Sequence, residues 1–156
     1  MKTILIDSNI PFIATGQIGE AWAVVILEQV ISQNLDGVID ALYLQELLDR
    51  SVAVGEVFAG KKLFSCCRQI FTKTLPVTVQ DFDLSCTLYK QYPQSSPRDL
   101  IHAAVAKNNS IDEIFSIDGP CFDEIEGIKR TNINHLLTAL NIRDTFTYER
   151  KNISRS

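Results

Sequence analysis

Long apolar runs are missing from this chain: the longest, Ala21 to Leu27, stops at Glu28 and falls far short of the ~20 residues that cross a bilayer. A targeting segment is missing too, since Lys2 is followed only by Thr3, Ile4, Leu5 and Ile6 before Asp7, which has neither the length nor the flanks of a leader. The expectation is a cytoplasmic protein with no membrane partner. Histidine occurs twice and cysteine four times. Cys66, Cys67, Cys86 and Cys121 show neither Cys-x-x-Cys spacing nor a nearby histidine set, so an ordinary zinc site is excluded and buried free thiols are expected. Net positive charge is also lacking: 15 Lys and Arg stand against 19 Asp and Glu, a balance of -4. A broad basic nucleic-acid footprint is thereby excluded, although a local cationic strip beside an acidic metal site is not. No internal repeat is visible. What is present, 156 residues at 46% hydrophobic, suffices for one domain with a real core.

The chain is organised around residues 96 to 125, SPRDLIHAAVAKNNSIDEIFSIDGPCFDEI. Ser96 is a good N-cap and Pro97 suits the first helical position, so Asp99 falls in the first turn, where exposed amides favour an acid. Leu100, Ile101, Ala103, Ala104 and Val105 predict a largely buried helix, with Asn108 and Asn109 as its left-handed stop. Ile114, Phe115 and Ile117 read as a core strand that Asp118-Gly119-Pro120 breaks. Asp7-Ser8-Asn9 ends the opening run Ile4-Leu5-Ile6 in the same way. If these two strands are parallel neighbours, both carboxylates open into one crevice beyond the strand ends.

The remaining chain predicts a first strand over residues 2 to 6, a loop framed by Gly16 and Gly19, and a helix from about Glu20 to Gln33. Val38 and Ile39 form a second strand, and Asp40 caps a helix that carries Glu46 in its second turn. From Gly55 to Thr74 the pattern is helical, with Lys61, Lys62, Arg68 and Lys73 as a cationic side that could face RNA. Leu75 to Val79 is β-prone, and Asp81 caps a helix closed by Tyr92-Pro93. Asp123 and Glu124 begin another helix, residues 127 to 130 form a last strand, and His135 to Leu140 a last helix. Alternating elements with long crossovers imply an α/β fold with a mostly parallel sheet of about five strands. The domain spans residues 1 to 141, and residues 142 to 156 form a polar tail, disordered unless a partner holds it.

The candidate chemistry lies in Asp7, Glu46, Asp99 and Asp118. Two carboxylates about 4 Å apart repel by roughly 4 kcal/mol at an effective dielectric near 20, so four together need protons or a divalent cation. Oxygen-only ligands favour magnesium or manganese. Such a cation suits phosphodiester hydrolysis, because it acidifies water, orients the phosphate and offsets charge growing in the transition state. Ser8, Asn9, Ser116 and Asp123 are supporting candidates, as turn formers or as groups that orient Asp7 or an outer ligand. Plainer roles are also open: Asp99 suits any helix start, Glu46 stands four residues before Arg50 as in a surface pair, and His102 suits a hydrogen-bonded core position.

In their order and spacing, ILIDSNI, LYLQELL, SPRDLIHAA and FSIDGPCFDEIEGIKR resemble a PIN-domain nuclease of the VapC toxin type, over residues 1 to about 131. The resemblance implies a three-layer α/β/α fold and a Mg2+- or Mn2+-dependent endoribonuclease. It also implies a homodimer and a small antitoxin partner. Asp7, Glu46, Asp99 and Asp118 match the family's acids and Ser8 its small hydroxyl residue. Independently of the resemblance, Lys61, Lys62, Arg68 and Arg98 are the candidate RNA contacts. Many family members carry a further aspartate before the closing phenylalanine; here Cys121 precedes Phe122, and Gly119-Pro120 lengthens the turn. The alternative is a metal-binding RNA- or protein-interaction module of PIN or receiver-like fold without catalysis.

Overall fold

A computed structural model describes residues 2–15, 21–117 and 122–142. Five strands, β1 (Thr3–Ile6), β2 (Asp36–Asp40), β3 (Thr74–Leu75), β4 (Glu113–Phe115) and β5 (Lys129–Thr131), form one sheet in the order β3-β2-β1-β4-β5. Every pairing is parallel, with Leu5 opposite both Val38 and Ile114. Strand residues alternate between two cores because successive side chains leave opposite faces of a strand. Ile4, Ile6, Ile39 and Phe115 join one core, and Leu5, Val38 and Ile114 the other.

Helices close both faces. On the first lie α1 (Asn9–Thr15), α2 (Ala21–Ile31), α3 (Ala41–Ala53), α4 (Val57–Ile70) and α7 (Ile133–Ala139); on the second, α5 (Val79–Gln91) and α6 (Pro97–Asn108). The expected three-layer α/β/α fold is present. The run Ala103 to Ala106 in α6 is wholly buried, its small side chains letting the helix lie close on the sheet.

Several elements differ from expectation for local reasons. Ser8 and Asn9 are not merely a turn: Ile10 N donates to Asp7 O at 3.3 Å and α1 starts at Asn9, with Pro11 in the first turn, where no amide donor is needed. Thr78, not Asp81, caps α5; Asp81 sits at the third helical position and returns a bond to Thr78 N at 2.7 Å, closing a capping box. That helix absorbs Val79, so β3 keeps only two residues. The left-handed residue after α6 is Ser110, at φ 58°, rather than Asn108 or Asn109. β4 begins at Glu113 and ends at Phe115, which leaves Ile117 beyond the strand and exposed. Asp123 and Glu124 lie in turns rather than a helix, and Gly127, at φ 77°, turns the chain into β5. Cys66 and Cys86 are exposed free thiols, and only Cys67 of the described cysteines is buried; Cys121 and the tail from Arg143 lie outside the described residues.

The α3–α4 hairpin depends on Gly60. A Cβ there would sit 2.2 Å from Ser51 Oγ and 2.3 Å from Ser51 Cβ. Gly60→Ala is therefore expected to destabilise by about 1–3 kcal/mol, the usual cost of overpacking. Ser51→Ala should not rescue it in thermal melts, because the Cβ that clashes remains; Ser51→Gly should.

Candidate active site at the ends of the central strands

Because β1 lies between β2 and β4, the chain leaves it in opposite directions on its two sides, and a crevice opens at the carboxyl ends of β1 and β4. Asp7 follows β1 and its N–H donates to Phe115 O at 3.0 Å, tying the two strand ends together. The Asp7 Oδ2 accepts from Ser116 Oγ at 2.5 Å and from Asn9 Nδ2 at 3.0 Å. Two of the supporting candidates thus orient this carboxylate. Ser8, almost fully buried, points elsewhere and donates to Glu46 Oε2 at 2.6 Å. This bond brings the first and second acids into one neighbourhood although 38 residues separate its partners.

Glu46 has no surface pair with Arg50, which instead lies over the Phe12 ring at 5.3 Å. It is 5% exposed, and its second oxygen receives Arg98 Nη1 at 3.3 Å. Beneath it stands His102, whose Nδ1 is 2.6 Å from Asp40 Oδ2 and whose Nε2 is 3.6 Å from Glu46 Oε2, beyond hydrogen-bond reach. Burial alone would lower the His102 pKa, but the charges of Asp40 and Glu46 outweigh it and hold the imidazolium up to about 10. Burial would likewise raise Glu46, yet His102, Ser8 and Arg98 bring it down to about 2. Burial, then Cys67, then Asp7 and Asp40 push the Tyr43 phenol well above its ordinary value, so it stays neutral.

The acids do not repel unopposed, as summing their charges along the sequence suggested: His102 and Arg98 are cations built into the cluster. Asp40 and His102 are the residues that sequence reasoning left outside the site. A signal for Asp40 was available, since Val38-Ile39-Asp40 ends an apolar strand as Leu5-Ile6-Asp7 does. Its role as N-cap, real in the bond from Tyr43 N at 2.9 Å, accounted for only one of its oxygens.

Asp99 is partly exposed in the first turn of α6, where its N–H donates to the Ser96 cap at 3.3 Å. Its carboxylate has no partner among the described residues. At about 100° per residue it stands about 60° around the helix axis from His102. Asp118 lies outside the described residues. Asp123 is forked by Arg130, with Nε 3.0 Å from Oδ1 and Nη2 2.8 Å from Oδ2. Lys61, Lys62 and Arg68 are exposed on α4, Lys62 lying over the Phe58 ring at 4.7 Å. Of the proposed RNA contacts, Arg98 is the one that touches an acid of the cluster among the described residues.

Among the described residues no three His, Cys, Asp or Glu side chains form a ready-made chelate. The donors are nonetheless all oxygen, and Asn9 Oδ1, buried beside Asp7, lacks a hydrogen-bond donor among those residues. An acceptor left in that state, next to carboxylates, fits a hard cation such as Mg2+ or Mn2+. No helix among the described residues is long and apolar enough to cross a membrane.

No protein-family model matches the chain. It is 33% identical over 129 residues to VapC ribonuclease Mb1869c of Mycobacterium bovis, covering 81% of this chain and 98% of that protein. Ribonuclease VapC13 of Mycobacterium tuberculosis matches to the same extent. In fold it is similar to a chain of VapBC2 from Rickettsia felis, solved with a promoter DNA fragment, at TM-score 0.69 and 14% identity over 83% of this chain and 98% of that one. At 33% identity to two VapC ribonucleases over 81% of its length, and with a parallel sheet that sets Asp7, Ser8 and Glu46 near the carboxyl ends of its strands, the chain belongs to the VapC ribonuclease family.

Proposed function

We propose that this chain is a Mg2+- or Mn2+-dependent endoribonuclease, the toxin of a toxin–antitoxin pair, in which Asp7, Glu46, Asp99 and Asp118 hold the cation. The observation that carries this reading is the buried bond from Ser8 to Glu46 at 2.6 Å, which ties the residue that follows Asp7 at the end of β1 to the acid of α3. The cation would supply Lewis acidity toward the phosphodiester and the attacking water. The protein's own groups prepare the site: Asn9 and Ser116 fix the Asp7 rotamer, Ser8 and His102 fix Glu46, and the burial of Glu46 excludes competing water. Relatives solved as VapBC assemblies support a small antitoxin as partner. A homodimer and a cytoplasmic location belong to the same proposal.

One observation favours a non-catalytic metal- or RNA-binding module instead: both Glu46 oxygens already have donors. Incubating the purified protein with a pool of single-stranded and structured RNA, with Mn2+, Mg2+ or EDTA, separates the two. Internal cuts that appear with either ion and vanish with EDTA support the nuclease; intact RNA in all three defeats it. The same ion should raise the melting temperature, by the equivalent of about 2.7 kcal/mol at one hundred times its Kd.

A further inference from the structure

Arg98 stands in an unusual position for a cation at an acidic site. Its partner Glu46 is nearly buried, with a side chain 7% exposed, whereas the Arg98 side chain is 59% exposed. The guanidinium therefore covers Glu46 from the solvent side. Only Nη1 is engaged among the described residues, at 3.3 Å from Oε1, so most of the planar fork of five donors is unused there, on a side chain that is mostly exposed. The other two groups on Glu46 are fixed from within, Ser8 by near-complete burial and His102 by its 2.6 Å contact with Asp40. Of the three groups around Glu46, Arg98 alone can leave without exposing a buried polar atom of its own.

Resting on the nuclease reading above, we infer that Arg98 is an exchangeable guard and substrate ligand: it occupies Glu46 Oε1 in the ion-free site and, when a divalent cation takes that oxygen, turns to a phosphate of the RNA. Charge requires both halves. A guanidinium beside an incoming dication is repelled, and a planar fork released at the mouth of a phosphodiesterase site meets the anion it binds best. One residue thereby couples loading of the site to binding of the strand.

The coupling predicts opposite effects of a single substitution. In calorimetric titration with Mn2+ alone, without RNA, Arg98→Gln should bind the ion about fivefold tighter, because a competing charge is gone. On the RNA that the wild-type protein cuts best, the same variant should show a raised KM, and the slope of log KM against log salt should fall by about one, as expected for one lost phosphate contact. Arg98→Lys, which keeps the charge without the fork, should return the Mn2+ affinity and salt slope toward wild type while KM stays raised. Unchanged or weaker Mn2+ binding by Arg98→Gln, or an unchanged salt slope, overturns the inference while the nuclease reading stands. A wild-type protein that neither binds Mn2+ nor cuts RNA overturns both.

Discussion

Asp99→Asn is expected to remove Mn2+-dependent RNA cleavage, by about a hundredfold or more, while leaving the melting curve of the metal-free protein nearly where it was. Loss of an anionic ligand at a catalytic cation weakens its hold and removes charge complementarity in the transition state, which is worth several kcal/mol. The stability side follows from the surroundings of Asp99. Its carboxylate has no partner among the described residues, and its backbone N–H, not its side chain, receives the Ser96 cap. Asparagine keeps that cap and forfeits only the favourable charge at the start of α6, about 0.3–1 kcal/mol. Endonuclease assays and melts on the same preparation check both halves. Full activity in the variant would remove Asp99 from the catalytic set.

The second large effect is on stability. Asp40→Asn in metal-free protein should lower it by about 3 kcal/mol at pH 7, or about 6–12 °C in Tm for a chain of this size. Asp40 is fully buried and its two oxygens do different work: Oδ1 caps α3 at Tyr43 N, and Oδ2 meets His102 Nδ1 at 2.6 Å. Asparagine can keep the cap, so the loss isolates the ion pair. The pH dependence has a definite sign. The His102 pKa rises from 6.5 in the ordinary state to about 10 in the fold, so its contribution is fully present below pH 6.5 and disappears as pH climbs through about 10. The gap between wild type and Asp40→Asn should therefore narrow on going from pH 7 to pH 10. Glu46 behaves oppositely, with a pKa lowered from 4.5 to about 2; its contribution is present above pH 4.5 and is lost as pH falls toward 2. A double-mutant cycle with His102→Gln should give a coupling of at least ~1.5 kcal/mol at pH 7, since the two groups touch. Additive losses would mean that the pair does not act as a unit.

Features carried within a few neighbouring residues were legible without coordinates. Ser96-Pro97 caps α6, Asp40 caps α3, Asp7 ends an apolar strand, and the alternation of strands and helices predicts a parallel sheet. Each rests on a local energy, a cap bond or the burial of one face, that a short window of sequence contains. The misreadings arose where two local signals competed. Ser8 and Asn9 look like a turn yet lead into α1, which starts at Asn9, and Asp81 looks like a cap yet completes the box that Thr78 begins. The grouping of Asp7, Glu46, Asp99 and Asp118 is contained in no single segment; the residues suggested it and the resemblance agreed with it.

From its residue order alone, this protein determines the alternation of strands and helices, the caps that open α3 and α6, and that acids stand at strand and helix ends. Tertiary structure alone decided which charges meet: Ser8 with Glu46, His102 between Asp40 and Glu46, Arg98 over the outer oxygen. Those partners lie 38 to 62 residues apart, and their contact depends on β1 lying between β2 and β4 and on α6 crossing the far face. An ion pair draws its strength from distance and burial together, and neither is a property of any segment until the sheet has closed.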